Sequence, residues 1–185
     1  MVIFQTDRLR VRPYTVIDQL SFFLLNGNEA VVRFIRPAKD RAACNDFLDQ
    51  IILDYSKNPW SGRWAVEERE RGNFVGSFAL IPVEGKDQMQ IGYALLPEFW
   101  GMGFATELAK SGLQYVKAFT EIDPIYAYAR QENHSSLKVL QKAGMLEFIR
   151  FTENGQKLVG FRLSRQELGG LSSSESLHSN ESRPA

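Results

Sequence analysis

The chain's 185 residues carry 22 Lys+Arg against 22 Asp+Glu, a formal net charge of zero, and 44% of them are apolar. These figures fit one ordinary globular domain and argue against a nucleic-acid binder, whose affinity rests on a basic surface. One Cys and two His leave no Cys/His zinc cluster and no internal disulfide, no apolar stretch approaches the ~20 residues of a membrane helix, and Met1–Arg8 has no signal-peptide pattern. The expectation is a soluble, cytoplasmic protein without metal, nucleic-acid partner or membrane anchor.

In chain order, Arg8–Arg12 alternates polar and apolar residues and reads as a half-buried strand stopped by Pro13. Thr15 followed by Asp18 opens a helix over Val16–Leu25, ended by Asn26-Gly27. Asp40 caps a longer helix to about Ser56, with Cys44, Phe47, Leu48, Ile51, Ile52 and Tyr55 on one face; Cys44 therefore reads as core. Arg63–Glu68, Phe74–Ile81 and Gln88–Leu96 form a strand meander. A helix follows over Gly103–Phe119, then a break at Asp123-Pro124, a strand at Ile125–Ala129 and a short helix from His134 to Ala143. Met145–Thr152 and Lys157–Leu163 are strands joined by Asn154-Gly155, the strongest short hairpin signal.

This order predicts an α+β fold: a mixed, mostly antiparallel sheet of about seven strands flanked by about four helices, with Gln88–Leu96 and Ile125–Ala129 parallel neighbours across a helical crossover. The Ser-rich stretch Gly169–Ala185 has almost nothing to bury and is expected to be disordered, so the domain is placed at residues 1–168.

The segment richest in chemistry is Ile91-Gly92-Tyr93-Ala94-Leu95-Leu96-Pro97-Glu98-Phe99-Trp100-Gly101-Met102-Gly103-Phe104-Ala105-Thr106-Glu107. A strand runs into a glycine turn, and the turn opens a helix whose first N–H groups lack intrahelical partners. Glycine lets that backbone approach a phosphate or pyrophosphate closely, small Ala105 leaves room, and the Thr106 hydroxyl adds a donor. A tight turn needing only positive φ is the plain alternative. A dinucleotide fingerprint would require a third glycine where Thr106 stands, which disfavours a nicotinamide enzyme. About 30 residues on, Asn133 and Ser136 open the helix after the parallel strand. Alone, Asn133 would do no more than cap it.

With these blocks laid out, the chain resembles the GNAT superfamily of acetyl-CoA-dependent N-acetyltransferases, in the branch that includes the ribosomal-protein alanine N-acetyltransferases. Thr6-x-Arg8-Leu9-x-Val11-Arg12-Pro13 resembles that branch's T-x-R-L-x-L-R-P, and Trp100 to Glu107 its W-G-x-G-Y-A-T-E. Asn133-x-x-Ser136 with Lys142-x-Gly144-Met145 resembles its N-x-x-S/A and K-x-G-F/M. The resemblance implies acetyl-CoA as acetyl donor, with its pyrophosphate on Trp100, Gly101, Met102, Gly103, Phe104 and Ala105, aided by Thr106. Its pantetheine arm would lie along Tyr93, Ala94, Leu95 and Leu96 and bond to Asn133. The Leu95 N–H would polarise the thioester carbonyl, and Ser136 would assist thiolate departure, because Leu140 stands where many relatives carry a Tyr.

Gln90 replaces the Glu that this branch often carries before Ile-Gly-Tyr. That leaves Glu98, Glu132 and Glu67 as candidate bases, each with a plainer reading as a surface acid. Phe22, Phe23, Phe34 and Trp60 are candidates for the acceptor wall, and His134 reads as a surface residue. The acceptor is a primary amine, either a peptide N-terminus or a small molecule, and the zero net charge gives no steer toward acidic or basic ones. The assembly is a monomer or homodimer. A CoA-binding domain without catalysis is the competing reading.

Overall fold

A computed structural model describes residues 1–58 and 60–167. Eight strands form one sheet in the order β1-β2-β3-β4-β5-β6-β8-β7: β1 (Phe4–Gln5), β2 (Leu9–Pro13), β3 (Gly62–Glu68), β4 (Phe74–Pro82), β5 (Met89–Leu95), β6 (Ile125–Arg130), β7 (Leu146–Glu153) and β8 (Gln156–Leu163). Every neighbouring pair is antiparallel except β5 and β6, which are parallel and in register only at Gln90↔Tyr126. Beyond that contact the two strands splay apart.

The α-helices are α1 (Gln19–Asn26), α2 (Glu29–Val32), α3 (Arg41–Asp54), α4 (Phe104–Phe119) and α5 (His134–Lys142). Strand alternation sorts the sheet into two faces. Leu9, Val11, Trp64, Val66, Phe78, Leu80, Ile91 and Leu95 face α4 and build the main core with its Leu108, Leu113 and Val116. Tyr14 and Ala65 face the other way and meet Phe22 of α1 and Cys44, Leu48 and Ile51 of α3. Cys44 is a core residue, as its position on the helix stripe predicts.

The expected elements are present, with corrections at short ones. The seven expected strands are eight, because two-residue β1 is too short to show alternation. Pro13 does not stop β2 but pairs with Trp64; β1 reaches only to Val11, so the missing N–H breaks no ladder bond on that side. Residues Val16–Asp18 form a 3-10 turn ahead of α1. The four-residue α2, capped by the Asn28 side chain accepting from the Ala30 N–H, is one turn and left no periodic signal. The expected tail from Gly169 lies outside the described residues.

Two side-chain clusters hold the edges of this frame. The Arg12 guanidinium grips Asp18 in a bidentate pair at 2.8 Å and Glu67 at 2.8 Å, and Arg10 adds a 3.0 Å bond to Glu67. Asp18 and Glu67 are buried, so each buried charge meets the partner that burial demands. The Tyr55 hydroxyl accepts from the Tyr14 N–H and donates to the Arg63 carbonyl, which ties the end of α3 to β2 and β3.

Candidate active site

A cavity of about 900 Å³ runs from the glycine turn, through the β5–β6 gap, to the face under α1 and α2. Its donor end begins with the approach of β4 to β5. A Cβ on Gly76 would lie 2.1 Å from the Ala94 carbonyl oxygen, so only glycine lets the strands close there, and that carbonyl points toward β4. The Leu96 N–H also donates to β4, at the Val75 carbonyl. Backbone groups alternate sides along an antiparallel strand, so the amides of Tyr93 and Leu95 point into the gap. The Leu95 carbonyl accepts from the Trp100 indole at 2.7 Å, which leaves the Leu95 N–H as that residue's open group.

This divides the expected strand set. Tyr93 and Leu95 offer their backbone to the gap, and Ala94 lines the cavity with its Cβ side. Leu96 does not line it.

The turn takes left-handed backbone at Gly101 (φ 76°) and Gly103 (φ 82°), a region where side chains are strained. Gly103 is the N-cap of α4 and offers no side-chain cap. The first N–H groups of α4 therefore stay open beside Gly101, Gly103, Ala105 and Thr106, all of which line the cavity. Met102 does not line it. Its carbonyl instead accepts from Arg8 at 3.0 Å.

That contact belongs to a clamp the sequence motifs did not reveal. Glu107 accepts from the Thr6 hydroxyl, from the Arg8 N–H at 3.0 Å and from Arg8 Nε at 2.7 Å. The Arg8 guanidinium lies 4.4 Å from the Phe104 ring centroid. Burial works against the Glu107 charge, but these hydrogen bonds outweigh it and hold its pKa below the ordinary value. Two motifs a hundred residues apart thus form one structural unit that braces the turn from behind. The only signal available beforehand was the co-occurrence of Thr6, Arg8 and Glu107.

Across the gap, the Asn133 side-chain Oδ1 caps α5 by accepting from the Ser136 N–H at 3.1 Å. The capping role is therefore present, and the amide nitrogen of Asn133 is left to face the cavity it lines. Ser136 Oγ lies 3.1 Å from the Tyr93 hydroxyl. Burial pushes the Tyr93 pKa up to about 12, against the opposing effect of the Ser136 hydrogen bond, so this phenol stays protonated at neutral pH. A hydroxyl from β5 thus stands behind Ser136, where Leu140 on α5 supplies only a buried apolar wall. Alternation along β5 was the clue to this pairing, but the distance to α5 was not readable.

At the other end Phe22, Phe34, Phe47, Ser77, Ala79 and Gln90 line the cavity, joined by Arg36 and Arg63. Phe23 and Trp60 do not. Phe23 packs on the α1–α3 core, and Trp60 sits half-exposed in a separate depression near the end of α4. None of the three candidate bases lines the cavity. Glu67 is held by Arg10 and Arg12, while Glu98, Glu132 and also His134 are surface residues.

The profile of the acetyltransferase (GNAT) domain matches residues 8–146. The chain belongs to that family and is an N-acetyltransferase by class. It is 28% identical over 143 residues to YkkB of Bacillus subtilis strain 168, covering 76% of this chain and 83% of that protein. Its fold is similar to RimL, a ribosomal L7/L12 α-N-protein acetyltransferase solved with coenzyme A (TM-score 0.75, 14% identity, 89% of this chain and 98% of that one). It is also similar to the spermidine N-acetyltransferase of Vibrio cholerae, solved with CoA and spermine (TM-score 0.72, 21% identity, 86% and 97%). No helix among the described residues is long and apolar enough to cross a membrane.

Proposed function

We propose that the protein moves an acetyl group from acetyl-CoA to a primary amine by direct attack on the thioester, in the cytoplasm, as a monomer or homodimer. One observation carries the reading: a strand with open amides, a glycine-capped helix start and the Asn133–Ser136 pair all open into one cavity. Those groups suit the donor. Open N–H groups at the start of α4 complement a pyrophosphate, the Tyr93 and Leu95 backbone suits an extended pantetheine arm, and the Asn133 amide adds a donor.

Acetyl-CoA supplies an activated acetyl thioester. The Leu95 N–H would donate to the thioester oxygen as negative charge develops there. The amine nitrogen bonds to the acetyl carbon and the carbon–sulfur bond breaks. Ser136 would hand its proton to the departing sulfur and recover one from solvent, directly or through the Tyr93 hydroxyl, which takes up a solvent proton as it gives its own. The extra proton on nitrogen leaves to solvent. Because no Asp or Glu among the described residues lines the cavity, no carboxylate base is assigned. An α-amine with pKa near 8 presents more neutral form at pH 7–8 than an alkyl amine near 10.4, so without a carboxylate base the rate should rise with pH toward the acceptor amine's own pKa.

Thiol release from acetyl-CoA is the test, run against peptides beginning with Ala, Ser or Met, against small amines, and against spermidine, because a spermine-bound relative marks polyamines as one acceptor class. Acetyl transfer to at least one amine is expected. Tight CoA binding with no thiol release from any amine would instead favour a CoA-binding regulatory domain.

A further inference from the structure

We infer that the acceptor is a small primary amine that also carries an anionic group, a carboxylate or a phosphate, and that Arg63 and Arg36 hold that group. The inference rests on the N-acetyltransferase reading and names the acceptor class. Five cationic side chains line the cavity and no acidic one does, among the described residues. Arg130, Lys138 and Lys142 lie on β6 and α5, at the donor end. Arg36 and Arg63 lie at the other end, where the acceptor must enter.

Three cations converge there on the Phe47 ring. Arg36, Lys39 and Arg63 stand 5.7, 5.5 and 5.5 Å from its centroid. Ring attraction stabilises a cation modestly but does not cancel the repulsion among three. None of them forms an ion pair among the described residues. Among the described residues the Arg36 guanidinium donates only to Asn26, and its Nε is buried with no partner. Arg63 has no hydrogen bond from its guanidinium among the described residues, although the Tyr55 hydroxyl fixes its backbone carbonyl. The acid nearest Arg36 and Lys39 in sequence, Asp40, is spent capping α3, and the one nearest Arg63, Glu67, is held by Arg10 and Arg12.

Burial, and for Arg63 the neighbouring Arg36 charge as well, lowers the pKa of both arginines. Arg12, likewise half-buried, is by contrast paired with both Asp18 and Glu67. Leaving two partly buried guanidinium groups without a counter-charge is costly unless an anion completes the site. The planar arginine fork fits carboxylate and phosphate alike.

The register sets the scale. Arg63 lies opposite Ala79, and Ala79 opposite Gly92 on β5. Two strand spacings, ~9.5 Å, therefore separate the Arg63 backbone from Gly92, and the Leu95 N–H that would hold the thioester lies three residues, ~10 Å, further along β5. An anion on Arg63 and an amine at β5 then fit one small molecule. A polyamine would bring its further positive charges against the same two arginines.

Two measurements decide this. With CoA saturating, so that the donor end is filled, inorganic phosphate should raise the melting temperature above that in chloride at equal ionic strength, by about 2 °C or more. Arg63→Gln and Arg36→Gln should each abolish the difference. If one variant fails to fold, the other decides. Independently, thiol release should favour the anionic member of matched pairs, L-phenylalanine over phenethylamine and O-phosphoethanolamine over ethanolamine, by at least tenfold in kcat/KM. The pair that responds separates carboxylate from phosphate. Arg63→Gln should erase the preference through acceptor KM, with acetyl-CoA KM within about twofold.

Equal phosphate stabilisation of wild type and both variants, or a preference for spermidine, neutral amines or neutral peptides, overturns the inference. Loss of CoA binding, or of transfer to every amine, would instead overturn the N-acetyltransferase reading. The phosphate difference would still report on the arginine pair.

Discussion

Past the Gln90–Tyr126 contact, β5 faces two unlike regions. Toward β6 the cavity is walled by main chain: the Tyr93 and Leu95 amides, the left-handed glycines 101 and 103, and the first turn of α4. Toward α1 and α2 it is walled by side chains from distant segments, Arg36, Arg63, Phe34 and Phe47 among them. The main-chain region needs few particular side chains, only the absence of some, because its donors belong to every residue. The side-chain region depends on charge and shape, and single substitutions there would change which molecule is accepted. A shared donor and a variable acceptor fit this division of material.

The largest expected break lies in the gap between the regions. If Ser136 acts only as charge builds on sulfur, Ser136→Ala should lower kcat by ~10²-fold with acetyl-CoA affinity nearly unchanged. Steady-state kinetics beside calorimetry separates the two effects. Full retention of kcat would return Ser136 to the role of a first-turn hydroxyl. Tyr93→Phe, which keeps the ring and removes the proton behind Ser136, should lower kcat less.

Next is the main-chain wall itself. Gly103→Asp places a side chain at a φ of 82° and a negative charge beside the expected pyrophosphate. It should weaken acetyl-CoA at least tenfold by calorimetry, more than ~1.4 kcal/mol. Unchanged affinity in a folded variant would move the phosphates elsewhere.

A third, smaller effect concerns the clamp behind the turn. The folded-state pKa of Glu107 is lowered, so its contribution to stability is present above its unfolded pKa near 4.5 and is lost as pH falls through the folded value. Glu107→Gln should therefore melt below wild type at pH 7, and the gap should narrow as pH drops below about 4.5. A gap that widens in acid would contradict the assigned ion pair. The smallest effect is expected from truncation after Leu168, which should leave the melting temperature within a few degrees; a large drop would show that residues 169–185 dock on the domain.

The glycine turn and the Asn133–Ser136 helix start were legible in the sequence because their signals are local. Glycine at two positions two residues apart, an uncapped helix start and Asn-x-x-Ser after a strand each follow from backbone rules over a few residues. The same rules recovered the meander, the parallel pair and the Asn154-Gly155 hairpin, whose turn takes φ of 48° and 75°. They missed β1 and α2, elements too short to carry a period.

Composition, periodicity and turn chemistry determined the class of fold, the succession of its longer strands and helices along the chain and the place of the glycine turn, since those properties arise within a strand, a helix or a turn. Tertiary structure alone decided that Arg8 braces the Met102 carbonyl, that Tyr93 stands behind Ser136, that Trp60 lies outside the cavity, and that a chain of zero net charge gathers at one end of that cavity two arginines with no ion pair among the described residues. Each of those facts joins residues far apart in sequence. Their distance and sign are set by sheet register and helix packing, which no local pattern encodes.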